Sequence, residues 1–450
     1  MPFRFAYAAF WTGSRVASRP GGLRAWRRLT GRLAAASSSL AAILLCVCIL
    51  ASDLRAGDDG QGPEATDGST YLSPGGFRLI PRIAAGFEYN SNLFASRLFA
   101  IPDRGEYVTP GLLITSRWAR HALSADLDLN YRTFEDTGVE ALDLRGRVSG
   151  VINVSKAFDV GADFAASQLH SLQIVDNLAA DFIFNNRDIP SNIAGFIPVN
   201  QRSETVWARY NSWWLTNRLS VSHEVTDYGV VGLTGGGSAD LGNRSTDTVT
   251  ISNETAITVS HRLRLLTTVF ERMREYPDDP DRNSTTRGIV GKLEYRFSPM
   301  IWTDISAAYA QENFDNPVLE SAPTRSTGLG LNWSPRSYVR IRLGGTLVEE
   351  GVNFEQASTS AKGHRIDASM DYAISRRLLF SAAAGYVHTD RETTVGPRTD
   401  VDYAARMRLD YGLWRNALLA VTYDYRLSKS SDLPTDLLQQ IVRLELRASF

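Results

Sequence analysis

The chain is nearly without cysteine: Cys46 and Cys48 are the only two in 450 residues, and both sit in one apolar stretch near the N-terminus. If that stretch is removed the rest carries no thiol, which excludes disulfide staples and thiol chemistry. A chain of that kind crosses an oxidising periplasm without cross-linking. Long hydrophobic runs are missing too: nothing reaches the roughly 18 apolar residues of a membrane-spanning helix. Histidine is scarce, with six in all (His121, His170, His223, His261, His364, His388) and no metal-ligand spacing among them. The sequence has no Gly-x-Ser-x-Gly, no His-Glu-x-x-His and no phosphate-cradling glycine loop before a helix. Asp163, Ser167 and His170 lie close together, but their strand-like spacing makes a poor triad. No enzyme, catalytic residue, cofactor or metal is therefore expected.

The apolar stretch is residues 40–51, LAAILLCVCILA, preceded by Arg4, Arg15, Arg19, Arg24, Arg27, Arg28 and Arg32 with no acid among them. A basic lead, a short apolar core and small residues near Ala51 or Ala56 are the layout of a secretory signal peptide. Cleavage after residue 56 is expected, with an uncleaved anchor helix as the other reading. Eight arginines and one acid would leave with it, from 48 basic and 49 acidic residues, so the mature net charge is about −8. Nucleic acid is an unsuitable partner for such a surface. Residues 57–76 are rich in Gly, Asp, Ser and Pro and read as a flexible periplasmic lead-in.

From there to Phe450 the sequence alternates. Leu123, Ala125, Leu127, Leu129 and Tyr131 interleave with Ser124, Asp126, Asp128, Asn130 and Arg132, which gives a ribbon with one greasy and one polar face. Such segments recur near 78–90, 107–118, 122–134, 141–154, 158–169, 201–213, 217–228, 245–258, 262–275, 285–297, 301–313, 324–333, 338–350, 362–373, 378–390, 399–412, 417–428 and 438–450. Each is long enough to cross a bilayer when tilted, which takes about 9–11 residues, whereas strands of soluble proteins average about 5–6. The reading is a transmembrane antiparallel up-and-down β-barrel over residues 77–450, of about 18 strands, with 16 as the alternative.

Connection lengths support the phase. Gaps after even-numbered strands are tight, as at Ala119–Arg120–His121 and Arg415–Asn416; those after odd-numbered strands are mostly longer. Short periplasmic turns and longer outer loops are the barrel pattern. Trp118, Trp213, Trp214, Trp302, Trp333 and Trp414 flank tight turns and suggest a periplasmic aromatic girdle. A β-propeller, whose repeat length is similar, would need four short strands per repeat rather than two long ones.

Cost assigns the faces. Turning 399–412 over would set Asp400, Asp402, Arg406, Arg408 and Asp410 against lipid, at about 2–4 kcal/mol for each Arg near the midplane. The charged face must line a lumen, and its candidate wall residues are Asp126, Asp128, Arg132, Arg145, Arg147, Arg340, Arg342, Arg406 and Arg408. The longest loop, Ser171 to Asn200, carries Leu178, Phe182, Ile183, Phe184, Ile189, Ile193, Phe196 and Ile197. A loop so long is usually functional or disordered, and its hydrophobes argue against disorder. It reads either as a constriction folded into the lumen, with Asp176, Asp181, Phe182, Phe184, Arg187 and Asp188 as candidates, or as an extracellular cap.

Two stretches carry resemblance. Val442, Leu444, Leu446, Ala448 and Phe450 alternate up to a final phenylalanine, similar to the C-terminal signal that delivers Gram-negative outer-membrane proteins to the barrel-assembly machinery. Pro81–Arg82–Ile83, followed by Phe87–Glu88–Tyr89–Asn90–Ser91–Asn92–Leu93–Phe94, resembles the opening of the putative β-barrel porin 2 family. The resemblance implies residence in the cell outer membrane among its lipid and lipopolysaccharide. It also implies a link to exopolysaccharide production, with polysaccharide export components as partners. Two functions follow as expectations: a porin-like channel assisting exopolysaccharide export, or a plugged structural or adhesion barrel that binds partners through its outer loops.

Overall fold

The computed structural model describes residues 72–97, 99–171, 195–233, 236–319, 321–350, 358–393, 396–431 and 435–450. The chain separates into two units, Met1–Gly62 and Pro63–Phe450. The first, with the expected signal segment, lies outside the described residues, as does the lead-in up to residue 71.

The second unit is a closed antiparallel barrel of 18 strands. In chain order these are β1 Phe77–Asn90, β2 Asp103–Ser116, β3 His121–Phe134, β4 Glu140–Asn153, β5 Phe158–Ser171, β6 Ile197–Asn211, β7 Leu215–Tyr228, β8 Thr246–Thr258 and β9 Leu263–Glu275. They continue with β10 Ser284–Arg296, β11 Ile301–Phe314, β12 Ala322–Arg336, β13 Val339–Glu350, β14 Ser358–Ser375, β15 Leu378–Thr393, β16 Gly396–Trp414, β17 Ala417–Ser430 and β18 Leu437–Ser449. Each strand pairs with its sequence neighbours, and β1 pairs with β18 from Arg82↔Ser449 to Asn90↔Ile441, which closes the wall. A closed wall leaves no unpaired backbone toward lipid. Among the described residues, no helix is long and apolar enough to cross a membrane.

Alternation sets the faces as sequence reasoning expects. Leu127 pairs with Leu112, and Val421 pairs with both Leu409 and Leu444. These side chains stand exposed on the outer surface, with Leu127 at 49% and Val421 at 43%. Because a one-residue slip would exchange the two faces, this register is strongly specified. The tight connections close one end of the barrel, and exposed Trp118, Trp213, Trp214, Trp333 and Trp414 surround it. Trp302 departs from the girdle: its register opposite Arg296 and Asn332 puts it on the inner face.

Boundaries differ most where loops were expected. β6 starts at Ile197 rather than near residue 201, while β14 and β16 run to 18 and 19 residues. The expected loop after β7 folds partly as a hairpin, Val230–Gly232 against Ser238–Asp240. Ile197, Val199, Val231 and Leu241 form a small buried apolar cluster there, which explains the early start of β6.

Candidate functional site: the barrel lumen

Strand register puts all nine candidate wall residues on the inner face. Asp126 pairs with Arg147 and Asp128 with Arg145; Arg132 pairs with Ala141, which is 2% exposed. Arg340 faces Asp371, Arg342 faces Ser369, Arg406 faces Asp424 and Arg408 faces Thr422. The wall is uneven around its circumference. One arc, β14 to β18 and β1 to β6, carries the more extensively linked charges. The other, β7 to β13, has small hydroxyls and glycine at mid-height, with charged groups such as Glu224, Arg264, Lys292 and Arg340 towards its two ends.

In the charged arc, carboxylates are shared between guanidinium groups. Arg443 bonds Glu88 at 2.5 Å and Asp424 at 3.0 Å, and Arg406 bonds the other oxygen of Asp424 at 2.5 Å. Arg408 holds Asp410 at 2.7 Å and lies 3.8 Å from Glu445, which also accepts the Tyr107 hydroxyl at 2.9 Å. Arg82 bridges Asp126 and Asp128, and Arg132 holds Asp143 at 2.7 Å. A buried charge persists only when paired and hydrogen-bonded, and Glu88 and Asp424 are 7% and 5% exposed. Their arginines supply that condition. Arg340 and Arg342 differ: both are exposed, and neither has an ion-pair partner among the described residues.

The quieter arc is built from Ser220 and Ser222 of β7, Thr248, Thr250 and Ser252 of β8, and Gly328, Gly330, Gly344 and Thr346 of β12 and β13. Its hydroxyls bond one another, as Ser220 Oγ and Ser252 Oγ do at 2.8 Å, and its ion pairs sit nearer the turn end, where Lys292 lies 3.5 Å from Glu294 and 3.4 Å from Asp304. Between the arcs lies Trp207, which the girdle argument left unplaced. It lies flat on the inner wall over Gly161, where an added Cβ would meet the indole at 2.2 Å. Its Nε1 donates to Asp163 at 3.0 Å, and Arg209 and Arg218 pack on its ring at 5.3 and 4.9 Å.

At the long-loop end, the β1–β2 connection turns inward, and sequence reasoning missed it. Asn90 and Asn92 share the inner face with Glu88 and are each 1% exposed. Asn92 Nδ2 donates to the carbonyls of Ser96 at 2.7 Å and Leu438 at 3.2 Å, and its Oδ1 accepts from Ser96 N–H at 3.0 Å. Gln439, on the inner face of β18, donates to Asn92 O at 2.8 Å and Asn90 Oδ1 at 3.3 Å. The segment then crosses the inner face of β18 to reach β17, where Arg97 donates to Ser428 O at 2.9 Å and Ser428 Oγ at 2.8 Å. Burial lowers the pKa of the Arg97 guanidinium while Asp402 and Asp400 oppose that shift; arginine stays a cation throughout.

Leu93 and Phe94 of this connection pack with Phe134, Ala141 and Phe196 in an apolar cluster against the inner wall. Phe196 lies 6.3 Å from Phe94 and 5.8 Å from Phe134, and Arg132 caps it at 5.5 Å. Phe196 is thus one of the loop's apolar residues whose burial site is visible. The other candidates of that loop, Asp176, Asp181, Phe182, Phe184, Arg187 and Asp188, lie outside the described residues. The signal for the inward connection was present in Phe87–Glu88–Tyr89–Asn90–Ser91–Asn92–Leu93–Phe94, which continues strand alternation past the strand end. The described residues contain no cluster of metal-ligating side chains.

The family description for putative beta-barrel porin 2 matches residues 72–450, and the chain belongs to that family. It is an outer-membrane β-barrel with a porin-like channel fold. No curated protein matches the sequence. Among solved structures it is similar in outline to Pseudomonas aeruginosa OccK3 (OpdO), at 13% identity and a TM-score of 0.44, over 83% of this chain and 95% of that one. Acinetobacter baumannii OccAB4 matches at 8% identity and 0.47, over 86% and 99%. A structure described as the copper transporter OprC matches at 9% and 0.48, over 82% and 80%.

Proposed function

We propose that this protein is a water-filled outer-membrane channel that assists export of exopolysaccharide. The observation that carries the channel reading is the predominantly polar inner wall of a closed 18-strand barrel, with inward apolar side chains packed in clusters near the long-loop end. Barrels of about 16–18 strands leave an aqueous bore, whereas eight are filled by side chains. A wall paired across strands and relieved by a hydroxyl arc presents water with no large apolar surface on which a sugar chain would stall. The polysaccharide assignment draws on the family's association and needs its own test. Single-channel recording of the refolded protein in planar bilayers tests the channel, and loss of secreted polysaccharide on gene deletion tests the cargo. An open conductance without any secretion defect would leave a general porin.

The inward β1–β2 connection favours a second reading, a barrel closed at its outer mouth and serving through its loops. Absence of conductance in folded protein would select it.

A further inference from the structure

The tight connections and the long ones carry opposite charge. In the tight turns every charged side chain is a base, from Arg117 and Arg120 at β2–β3 to Arg376, Arg377 and Arg415 at the β14–β15 and β16–β17 turns. The long connections are predominantly acidic, as at Glu135–Asp136 and at Asp278, Asp279 and Asp281. Positive charge also continues from the turn rim into the bore. Arg296, Arg340 and Arg342 have inner-face register near the turn end, and all three are exposed. Several carboxylates near that level are occupied: Asp410 by Arg408 at 2.7 Å, Asp304 by Lys292 at 3.4 Å and Asp159 by Arg209 at 2.7 Å. Asp371, opposite Arg340, accepts the Ser381 hydroxyl at 3.0 Å, and it and Glu254, opposite Arg218, are without an ion pair among the described residues. With Arg296, Arg340, Arg342 and the bases of the turns set against these two carboxylates, the turn-side mouth carries an excess of positive charge.

A basic rim alone would suit anionic lipid headgroups. Two features favour a ligand in the water of the mouth instead. The inner-face arginines point away from lipid, and Arg340 and Arg342 are two residues apart on one strand, about 7 Å along it. That spacing presents two fixed charges in a row to a chain bearing repeated carboxylates.

We infer that the turn-side mouth is a docking site for an anionic polysaccharide, captured from the periplasm by the basic rim and led inward by Arg340 and Arg342. This rests on the channel reading and names its substrate class. Oriented charge in a low-dielectric mouth concentrates oppositely charged solutes and raises their on-rates by about 10–10³. The acidic outer loops do the reverse, so a polyanion that has crossed is repelled from the outer mouth rather than held there.

The test is one-sided block of single oriented channels by oligogalacturonate, with neutral dextran of similar length as control. Addition on the turn side should produce reversible blocking events about tenfold more often than addition on the loop side. The blocks should fade at 1 M salt, where the screening length falls to about 3 Å. R340S/R342S should lose most of the asymmetry while conducting, and dextran should not block. A conducting channel blocked equally from both sides, or not at all, overturns the inference and leaves the channel intact.

If the folded protein does not conduct, the channel reading fails separately, and binding of fluorescent oligogalacturonate in neutral detergent decides the mouth. Saturable, salt-sensitive binding lost in R340S/R342S sustains the site; no binding overturns it. R376S/R377S in bilayers with and without phosphatidylglycerol separates the lipid alternative. If that variant and R340S/R342S both keep the one-sided block, and only association with anionic lipid falls, the basic charge serves headgroups and the inference is overturned.

Discussion

Replacing Asn92 by alanine should free the β1–β2 connection without unfolding the barrel. Asn92 is 1% exposed, and its side chain makes three contacts: two with Ser96 that hold the fold of the segment itself and one that ties it to Leu438 of the wall. Alanine would leave the Ser96 N–H and the carbonyls of Ser96 and Leu438 without those partners. Abandoned buried polar groups cost about 1–3 kcal/mol. Taking about 2 kcal/mol, the local opening equilibrium rises roughly thirtyfold. The wall should keep its stability, because strand pairing does not pass through this side chain. Arg97 makes the change readable: trypsin cuts after it only when the segment leaves Ser428. When opening is fast relative to cleavage, the cutting rate tracks the open population. The N92A protein should be cut roughly thirtyfold faster than wild type in the native barrel, and its single-channel conductance should rise or flicker upward. Equal cutting rates in two equally folded proteins would refute the idea that Asn92 holds the segment in place.

Arg443→Ala should destabilise the barrel by about 3–5 kcal/mol, since it strands buried Glu88 and leaves Asp424 to Arg406 alone; urea unfolding in vesicles measures it. Gly161→Ala should cost about 1–3 kcal/mol by overpacking against Trp207, with a shift in indole emission as the ring leaves the wall. Leu409→Arg should impair folding by about 2–4 kcal/mol, whereas Thr250→Arg on the inner face should fold; similar losses in the two would contradict the face assignment. Unheated protein should run with altered mobility on SDS gels, and a single heat-independent band would argue against a closed barrel.

The strands were legible because they answer to solvent alone. In β3 the side chains from Leu123 to Arg132 partition between lipid and water, and that partition needs no knowledge of any distant residue. The phase of tight and long connections followed for the same reason. The inner surface was legible only where it is wet. Ile197, Val199, Leu437 and Ile441 have inner-face register, yet they are apolar and buried, so a polar-inside rule misreads them. The first two pack with the β7–β8 hairpin, and Ile441 pairs across the seam with Asn90. The ion pairs were hidden differently. Arg443 and Glu88 lie 355 positions apart, and a list of luminal charges does not say which arginine will own which carboxylate. Trp302 went astray because proximity to a turn was read as membrane anchoring, when its parity already pointed inward.

The asparagine clasp has a bearing on how the barrel is put together. Ser91 N–H donates to Gln440 O at 2.9 Å, and Ser91 Oγ accepts from Gln440 N–H at 2.8 Å, beside the contacts of Asn92 with Gln439. Every one of these joins the first strand's end to the last strand. During synthesis the Asn-Ser-Asn triplet emerges hundreds of residues before its partners, so its polar groups wait on water until the sheet's two free edges meet. A seam sliding by one residue would form a ladder of similar length but would turn Gln439 toward lipid and leave the asparagines unanswered. The triplet thus acts as a proofreading mark on circularisation, satisfied in one register and penalising its neighbours.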